Sequence, residues 1–201
     1  DYCAAPCERE MSADATGDAH TSLARRAAAE STVLLRNERG ALPISTDVKR
    51  ITLLGTASAA QPYDPAAPGA DWARGDYYSG GGSGHVSAGP RVVTPRDGIR
   101  ARARAAGIAV RALPTDDPAE AAEAVQVGEA SSYASHLTVV VVATTSGESV
   151  DRPSLRLDND ADALVAAAAA ASHGRVVVLV QARCHKPTTT TTATTTGPSS
   201  P

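Results

Sequence analysis

Long apolar runs alternate with polar stretches along this chain, and the clearest apolar run covers residues 137–144. Its β-branched residues follow one another almost without a polar gap, which is typical of a strand buried on both faces of a parallel sheet. Three shorter runs have the same character. The pattern therefore predicts four strands, at residues 50–55, 108–113, 137–144 and 175–181.

Helical spacing of apolar residues fills the later intervals between these strands. The candidate helices cover residues 95–106, 118–132 and 159–172. Strands that alternate with helices of about 10–15 residues indicate βαβ units. The predicted fold class is α/β, a mostly parallel sheet flanked by helices as an α/β sandwich, with disordered amino- and carboxyl-terminal ends.

A further helix is predicted ahead of the first strand, over residues 20–37. Thr21 or Ser22 is its expected N-terminal cap, and Gly40 is the expected left-handed residue beyond its end. The residues that recur at helical spacing in this segment are Leu23, Ala27, Glu30, Val33 and Leu34.

The domain organisation follows from shifts in composition. Residues 1–19 lack any period and are interpreted as a linker or torn edge, whereas residues 20–183 form one domain that is incomplete at its carboxyl-terminal side. Residues 184–201 are rich in Thr and are expected to be disordered. Because the chain starts at Asp1 without a leader, we expect a fragment or processed product, and the sequence leaves a cytoplasmic or secreted location open.

The composition argues against several classes of function. The net charge of −3 over 201 residues offers no broad basic surface for nucleic acid, and no apolar stretch approaches the roughly 20 residues of a membrane span. Cys3, Cys7 and Cys184 form no disulfide framework, and Cys3 and Cys7 with His20 lack a fourth metal ligand. We expect no metal, cofactor, nucleic acid or membrane partner.

Candidate chemistry is concentrated in two loops that each follow a predicted strand. The segment 144–152 carries Glu148, and the segment 80–86 is Gly-Gly-Gly-Ser-Gly-His-Val. In a parallel sheet both loops leave the same edge, where open α/β sheets bind ligands. The two loops would then form one rim of a pocket, with Ser83, His85, Glu148, Asp151 and Arg152 as its polar groups.

The two loops are open to other interpretations. Residues 80–84 are equally compatible with a flexible turn, and Asp151 with Arg152 is equally compatible with a surface ion pair that contributes little. A nucleotide-binding site is disfavoured because the Gly-rich segment has no P-loop Lys and lies far from the preceding strand. One carboxylate is half of the pair that glycoside hydrolysis requires, so a second acid would have to come from elsewhere.

Several motifs, in chain order, resemble the second domain of family 3 glycoside hydrolases. They are the segment 20–43, the Gly-rich segment 80–86, Val-Val-Thr-Pro at 92–95 followed by Gly-Ile at 98–99, and Ser-Gly-Glu-x-x-Asp-Arg at 146–152. The resemblance covers residues 20–180. Two departures are Ser149, where Gly is common, and the segment after Val180, which changes to Arg-Cys-His-Lys-Pro-Thr at residues 183–188.

The resemblance implies a retaining, β-glucosidase-like enzyme in carbohydrate metabolism. Glu148 would be the general acid/base, the segment Ser83, Gly84 and His85 would contact substrate, and Asp151 and Arg152 would support the loop. Its partners would be a carbohydrate substrate and a missing N-terminal barrel that bears the nucleophilic Asp, so the chain alone would be inactive. The alternative is a non-catalytic carbohydrate-binding or structural α/β module.

Overall fold

A computed structural model describes residues 13–73, 75–85 and 92–182, and the chain divides into two units, residues 1–40 and 41–201. The expectations for the first 12 residues, the three cysteines, Val86 and the Thr-rich tail lie outside the described residues. Among the described helices, none has both the length and the apolar character needed to cross a membrane.

The first unit contains helix α1, Asp18–Glu30, which is shorter than predicted. The hydroxyls of Ser31 and Thr32 donate hydrogen bonds of 3.2 and 2.9 Å to the carbonyl of Ala28. Side chains that bond to backbone carbonyls in this way compete with helix continuation. The prediction that the helix reaches residue 37 was therefore wrong at its carboxyl-terminal end.

The predicted caps of α1 were also wrong. The N-cap residue is Gly17, which has no side chain to cap the helix, and neither Thr21 nor Ser22 has that role. Gly40 does adopt the left-handed conformation, with φ of +62°, but it ends a short 3-10 turn, Glu38–Gly40, rather than the helix.

The second unit contains a four-stranded parallel sheet in the order β2-β1-β3-β4. The sheet confirms all four predicted strands to within a residue or two at each end. The strands are β1 Arg50–Leu54, β2 Ala109–Leu113, β3 His136–Ala143 and β4 Arg175–Gln181.

Three helices connect the strands where helices were predicted: α2 Pro95–Ala105, α3 Pro118–Glu129 and α4 Ala161–Ala171. The side chain of Thr94 caps α2, and the side chain of Asp117 caps α3. In both helices Pro is the first helical residue, where its missing N–H costs no helical hydrogen bond.

The core explains why β3 carries an unbroken apolar run. Val139 and Val141 pack into a cluster on one face of the sheet that includes Ala103 of α2. Val140 and Val142 pack into a cluster on the other face that includes residues of α3 and α4. Because successive side chains point to opposite faces, a strand between two helical layers needs apolar residues on both faces, and β3 has them without a break from Val139 to Ala143. The α/β sandwich is confirmed.

A buried carboxylate, Glu129, lies at the amino-terminal edge of the sheet. One oxygen accepts hydrogen bonds from the Ser172 hydroxyl at 2.6 Å and the Gly174 N–H at 3.0 Å, and the other accepts from the His173 N–H at 2.9 Å. Burial raises the pKa of Glu129, but these hydrogen bonds outweigh burial and the net pKa is below its usual value.

His136 is fully buried beside Glu129. Its Nε2 lies 2.9 Å from the Thr52 hydroxyl, and its Nδ1 lies 3.7 Å from a Glu129 oxygen. Burial lowers the pKa of His136, and the nearby Glu129 carboxylate opposes that effect only in part. The amino-terminal edge is thus held by a buried polar network in which His136 is neutral at pH 7.

Candidate functional site

Glu148 lies on a loop that leaves β3 at the carboxyl-terminal edge of the sheet, and we call residues 144–158 the Glu148 loop. The loop is closed at its base, because the Asp158 N–H donates to the Ala143 carbonyl at 3.0 Å. The Asp158 carboxylate accepts from the Thr145 N–H, also at 3.0 Å. The closed base leaves Glu148 exposed to solvent within the loop.

Arg152 braces both arms of this loop. Its guanidinium donates to the carbonyls of Thr145 and Arg156, each at 2.7 Å, and to the Asp158 carboxylate at 2.9 Å. A planar guanidinium presents five N–H donors in a fixed fork, whereas the Lys ammonium presents three from a single nitrogen. Asp151 is exposed and makes no hydrogen bond or ion pair with the described residues. The ion partner of Arg152 is therefore Asp158 rather than Asp151.

The Gly-rich loop, residues 80–85, pairs directly with the Glu148 loop. The Gly81 N–H donates to the Ser146 carbonyl at 2.9 Å, and the Glu148 N–H donates to the Gly81 carbonyl at 3.1 Å. Gly81 and Gly147 form a parallel bridge between these bonds. Two loops that are separated by 58 residues in sequence, residues 86–143, are thus joined through their backbones.

Gly82 cannot be replaced without disturbing this contact. Its φ of +96° disfavours any residue with a Cβ. A Cβ at this position would overlap the Cβ of Glu148 and lie 2.9 Å from its Oε2. The Gly82 N–H donates to the carbonyl of Trp72 at 3.1 Å, which fixes the loop from its other side.

Ser83 holds the carboxylate of Glu148. Both its N–H, at 2.8 Å, and its hydroxyl donate to Oε2 of Glu148. The hydrogen bond from the hydroxyl, followed by that from the N–H, lowers the pKa of Glu148 below its usual value. Glu148 is therefore ionised at neutral pH in this arrangement.

Gly84 and His85 complete the Gly-rich loop without a hydrogen bond to Glu148. Gly84 is exposed, whereas His85 is partly buried. Nδ1 of His85 lies 3.0 Å from the Gly80 carbonyl, and the ring contacts Tyr63 edge-on, with centroids 4.9 Å apart. His85 thus helps to keep the loop folded and leaves Ser83 as the residue of this segment that contacts Glu148.

A polar cluster under these loops was missed by sequence reasoning. Asp116 follows β2, and its carboxylate accepts from the N–H of Thr56 at 2.9 Å, from the Thr56 hydroxyl and from the amide of Asn159 at 2.8 Å. Each of the three residues follows a different strand. Polar residues soon after each predicted strand were the available signal, since parallel strands end at one edge.

The long connection before the Gly-rich loop is organised by a second acid that the sequence did not single out. The Asp76 carboxylate accepts hydrogen bonds from the backbone N–H groups of Tyr63, of Tyr78 at 2.6 Å and of Ser79 at 2.5 Å. These bonds join residue 63 to residues 76–79 within the connection. Within the described ranges, no group of three or more His, Cys, Asp or Glu side chains is placed to hold a metal ion.

Comparison with known proteins gives concordant matches. The family model described as "Glycosyl hydrolase family 3 C-terminal domain" matches residues 32–194. Beta-glucosidase 1 of Saccharomycopsis fibuligera is 34% identical over 161 residues, which cover 76% of this chain and 18% of that protein. The chain thus spans about a fifth of the length of this relative.

Solved structures agree with the family match. The Beta-D-glucoside glucohydrolase from Trichoderma reesei superposes with a TM-score of 0.64 at 26% identity, over 82% of this chain and 23% of that one. A Glycoside Hydrolase Family 3 beta-glucosidase from Neurospora crassa gives a TM-score of 0.66 at 29% identity, over 82% of this chain and 20% of that one. The resemblance inferred from the sequence is confirmed: this chain belongs to the glycosyl hydrolase family 3 C-terminal domain family.

Proposed function

We propose that this chain is the acid/base-bearing domain of a retaining glycoside hydrolase acting on β-glucosides or related β-glycosides, with Glu148 as the acid/base. The observation that carries the proposal is an exposed carboxylate at the carboxyl-terminal edge of the sheet, hydrogen-bonded at Oε2 by Ser83. Family membership and the names of the relatives, which are beta-glucosidases, support the choice of reaction.

The reaction requires one group to perform two proton transfers. Glu148 would first protonate the glycosidic oxygen as the bond to the sugar breaks, and later remove a proton from the water that releases the sugar. The covalent intermediate needs a second carboxylate about 5–5.5 Å away. We assign that nucleophile to an N-terminal barrel domain outside this chain, so the chain by itself should not hydrolyse glycosides.

The electrostatics define what the barrel must supply. A general acid works best when its pKa is raised toward the working pH, whereas Ser83 lowers the pKa of Glu148. A second carboxylate at close range raises a carboxyl pKa by like-charge repulsion, and exclusion of water adds to that effect. Without the barrel, this domain thus holds Glu148 in its ionised, base form. In the assembled site the pKa of Glu148 would rise, and the protonated, acid form would become available.

In this proposal the remaining site residues either contact the substrate or support the Glu148 loop. The part of the rim that faces the sugar consists of Ser83, Gly84 and His85, and Ser83 is also bonded to Glu148. Arg152 keeps the Glu148 loop in shape through its three hydrogen bonds. Asp151, exposed on the same loop, is available to the missing domain.

The test replaces the matched segment of Saccharomycopsis fibuligera Beta-glucosidase 1 with this chain and compares Glu148→Gln with Glu123→Gln, an exposed glutamate of α3. Glu148→Gln should slow hydrolysis of cellobiose by about 10²–10⁴-fold. With 2,4-dinitrophenyl β-glucoside the first step should survive as a burst of released phenol, since that leaving group needs no proton. Added azide should restore turnover, and Glu123→Gln should behave as the parent.

An equal loss on both substrates without rescue by azide would remove Glu148 from the acid/base role.

The second candidate function is a carbohydrate-binding or structural module. It is favoured by the ionised, hydrogen-bonded state of Glu148, because such a carboxylate is also a good acceptor for sugar hydroxyls. Saturable binding of cellobiose to the folded chimera without hydrolysis would support it.

A further inference from the structure

The two oxygens of Glu148 lie in different environments. Oε2 accepts both the N–H and the hydroxyl of Ser83. Among the described residues, none donates a hydrogen bond to Oε1. Because the side chain is exposed, Oε1 is open to whatever approaches this edge of the sheet.

The difference between the two oxygens of Glu148 follows from the backbone of the two loops, which places Ser83 next to Oε2. The paired backbones at Gly81 and Gly147 set the register between the two loops. Gly82 has no Cβ, so its main chain can lie directly against Glu148 and present the next N–H to Oε2. The carbonyl of Trp72 holds Gly82 in that position. The N–H and hydroxyl of Ser83 therefore converge on one oxygen.

We propose that Ser83 is a positioning residue for the acid/base step: it docks Oε2 of Glu148 and leaves Oε1 as the oxygen that exchanges protons with the substrate. This assignment rests on the proposed function, whereas the docking itself does not. In the first step the Oε1–H bond breaks and its proton goes to the glycosidic oxygen, which keeps the electron pair of the broken sugar bond, while the nucleophilic carboxylate outside this chain bonds to the sugar. In the second step Oε1 takes a proton from water as the water oxygen bonds to the sugar, and the sugar–carboxylate bond breaks with its electron pair returning to the carboxylate.

Docking has a consequence that can be measured in this chain without turnover. Hydrogen bonds to a charged acceptor are stronger than those to a neutral one, so removal of a donor from Oε2 should make Glu148 easier to protonate. The Ser83 N–H should also sense the charge of Glu148 directly. Both effects follow from hydrogen-bond geometry and would be absent if Ser83 merely stabilised the fold.

The experiment is a pH titration of the whole chain by NMR, observing Glu side-chain carboxyl carbons and backbone amides. In the parent, the Ser83 amide proton should shift with the same midpoint as Glu148. Ser83→Ala should move the Glu148 midpoint upward, and Ser83→Thr, which keeps the hydroxyl, should restore it. Ser154→Ala is the matched control, because Ser154 accepts from the Arg156 N–H and does not contact Glu148.

A Ser83 amide that ignores the titration of Glu148 would overturn the proposal, and so would a Ser83→Ala midpoint equal to that of the parent. In the chimera, Ser83→Ala should shift the pH profile of kcat/KM in the same direction as the NMR midpoint; an unchanged profile would overturn the positioning role. If docking is observed by NMR while Glu148→Gln leaves the chimera fully active, the proposed function fails and the docking remains.

Discussion

Glu148 and Glu129 lie at opposite edges of the same sheet, and both have a pKa below the usual value for the same reason, hydrogen bonds to the carboxylate. Their surroundings differ in every other respect. Both oxygens of Glu129 are occupied by donors from residues 172–174, and its side chain is only 6% exposed. Glu148 is exposed and is held at Oε2 by a single residue.

The direction of a pKa shift therefore does not distinguish the proposed acid/base from a structural carboxylate. A carboxylate whose two oxygens are both saturated can only hold its neighbours together. A carboxylate that is held at one oxygen is oriented and still able to accept or release a proton. The free oxygen, rather than the pKa, is the feature that separates the two edges.

The largest difference in stability should appear when Glu129 and Glu148 are each replaced by Gln. Glu129→Gln should lower the free energy of unfolding by about 3 kcal/mol, because an amide N–H₂ would replace one acceptor and leave a buried donor without a partner. Glu148→Gln should leave the urea midpoint unchanged, since its side chain is exposed. Urea denaturation of both variants at pH 7 measures the difference. Equal losses would show that Glu148 is a structural residue too.

A smaller effect should follow from shortening the guanidinium that braces the Glu148 loop. Arg152→Lys should cost about 1–2 kcal/mol in unfolding free energy, because one ammonium cannot reach the carbonyls and the Asp158 carboxylate together. Arg156→Lys is the matched control, because the Arg156 side chain is 74% exposed and pairs only loosely with Asp162 at 3.6 Å. The same urea titration applies. Identical midpoints for the two variants would show that Arg152 does not stabilise the loop.

The smallest effect should be a pH dependence of folding stability that arises from His136 at the amino-terminal edge of the sheet. The folded pKa of His136 is below the unfolded value of about 6.5, so as pH falls below 6.5 the unfolded state binds a proton before the folded state does. Stability should therefore decrease in that window, although the facing Glu129 moderates the loss and Arg50 adds to it. His136→Asn should flatten this part of the curve of urea midpoint against pH. His20→Gln, at an exposed position of α1, should not change it.

The sheet could be predicted from the sequence because its signals are local. The run at 137–144 is apolar except at Thr138 and Thr144, since helices cover both faces of β3, and that requirement appears residue by residue in the chain. The predicted starts of two helices, at residues 95 and 118, were also correct, and there Pro and the capping residue before it act within one turn. Glu148 was found through a motif rather than through physical periodicity.

The meeting of the two loops at one edge of the sheet was predicted, but the individual hydrogen bonds could not be, because their partners are far apart in the sequence. The bond from Ser83 to Glu148 spans 65 residues, and that from Asn159 to Asp116 spans 43. No composition or period encodes such pairs before the strands are aligned. The carboxyl-terminal end of α1 was mispredicted because helical spacing continued past the point where Ser31 and Thr32 hydroxyls bond to the helix backbone.

The carbonyl of Trp72 holds the glycine that lies against Glu148, and this tryptophan is the only one in the chain. The residue is 54% exposed, and its backbone is bonded to the joint between the two loops. Comparing its emission across the titration of Glu148, and with and without a sugar, tests in an unlabelled sample whether that joint rearranges. The chain can thus be followed by fluorescence at the place where its chemistry is proposed to occur.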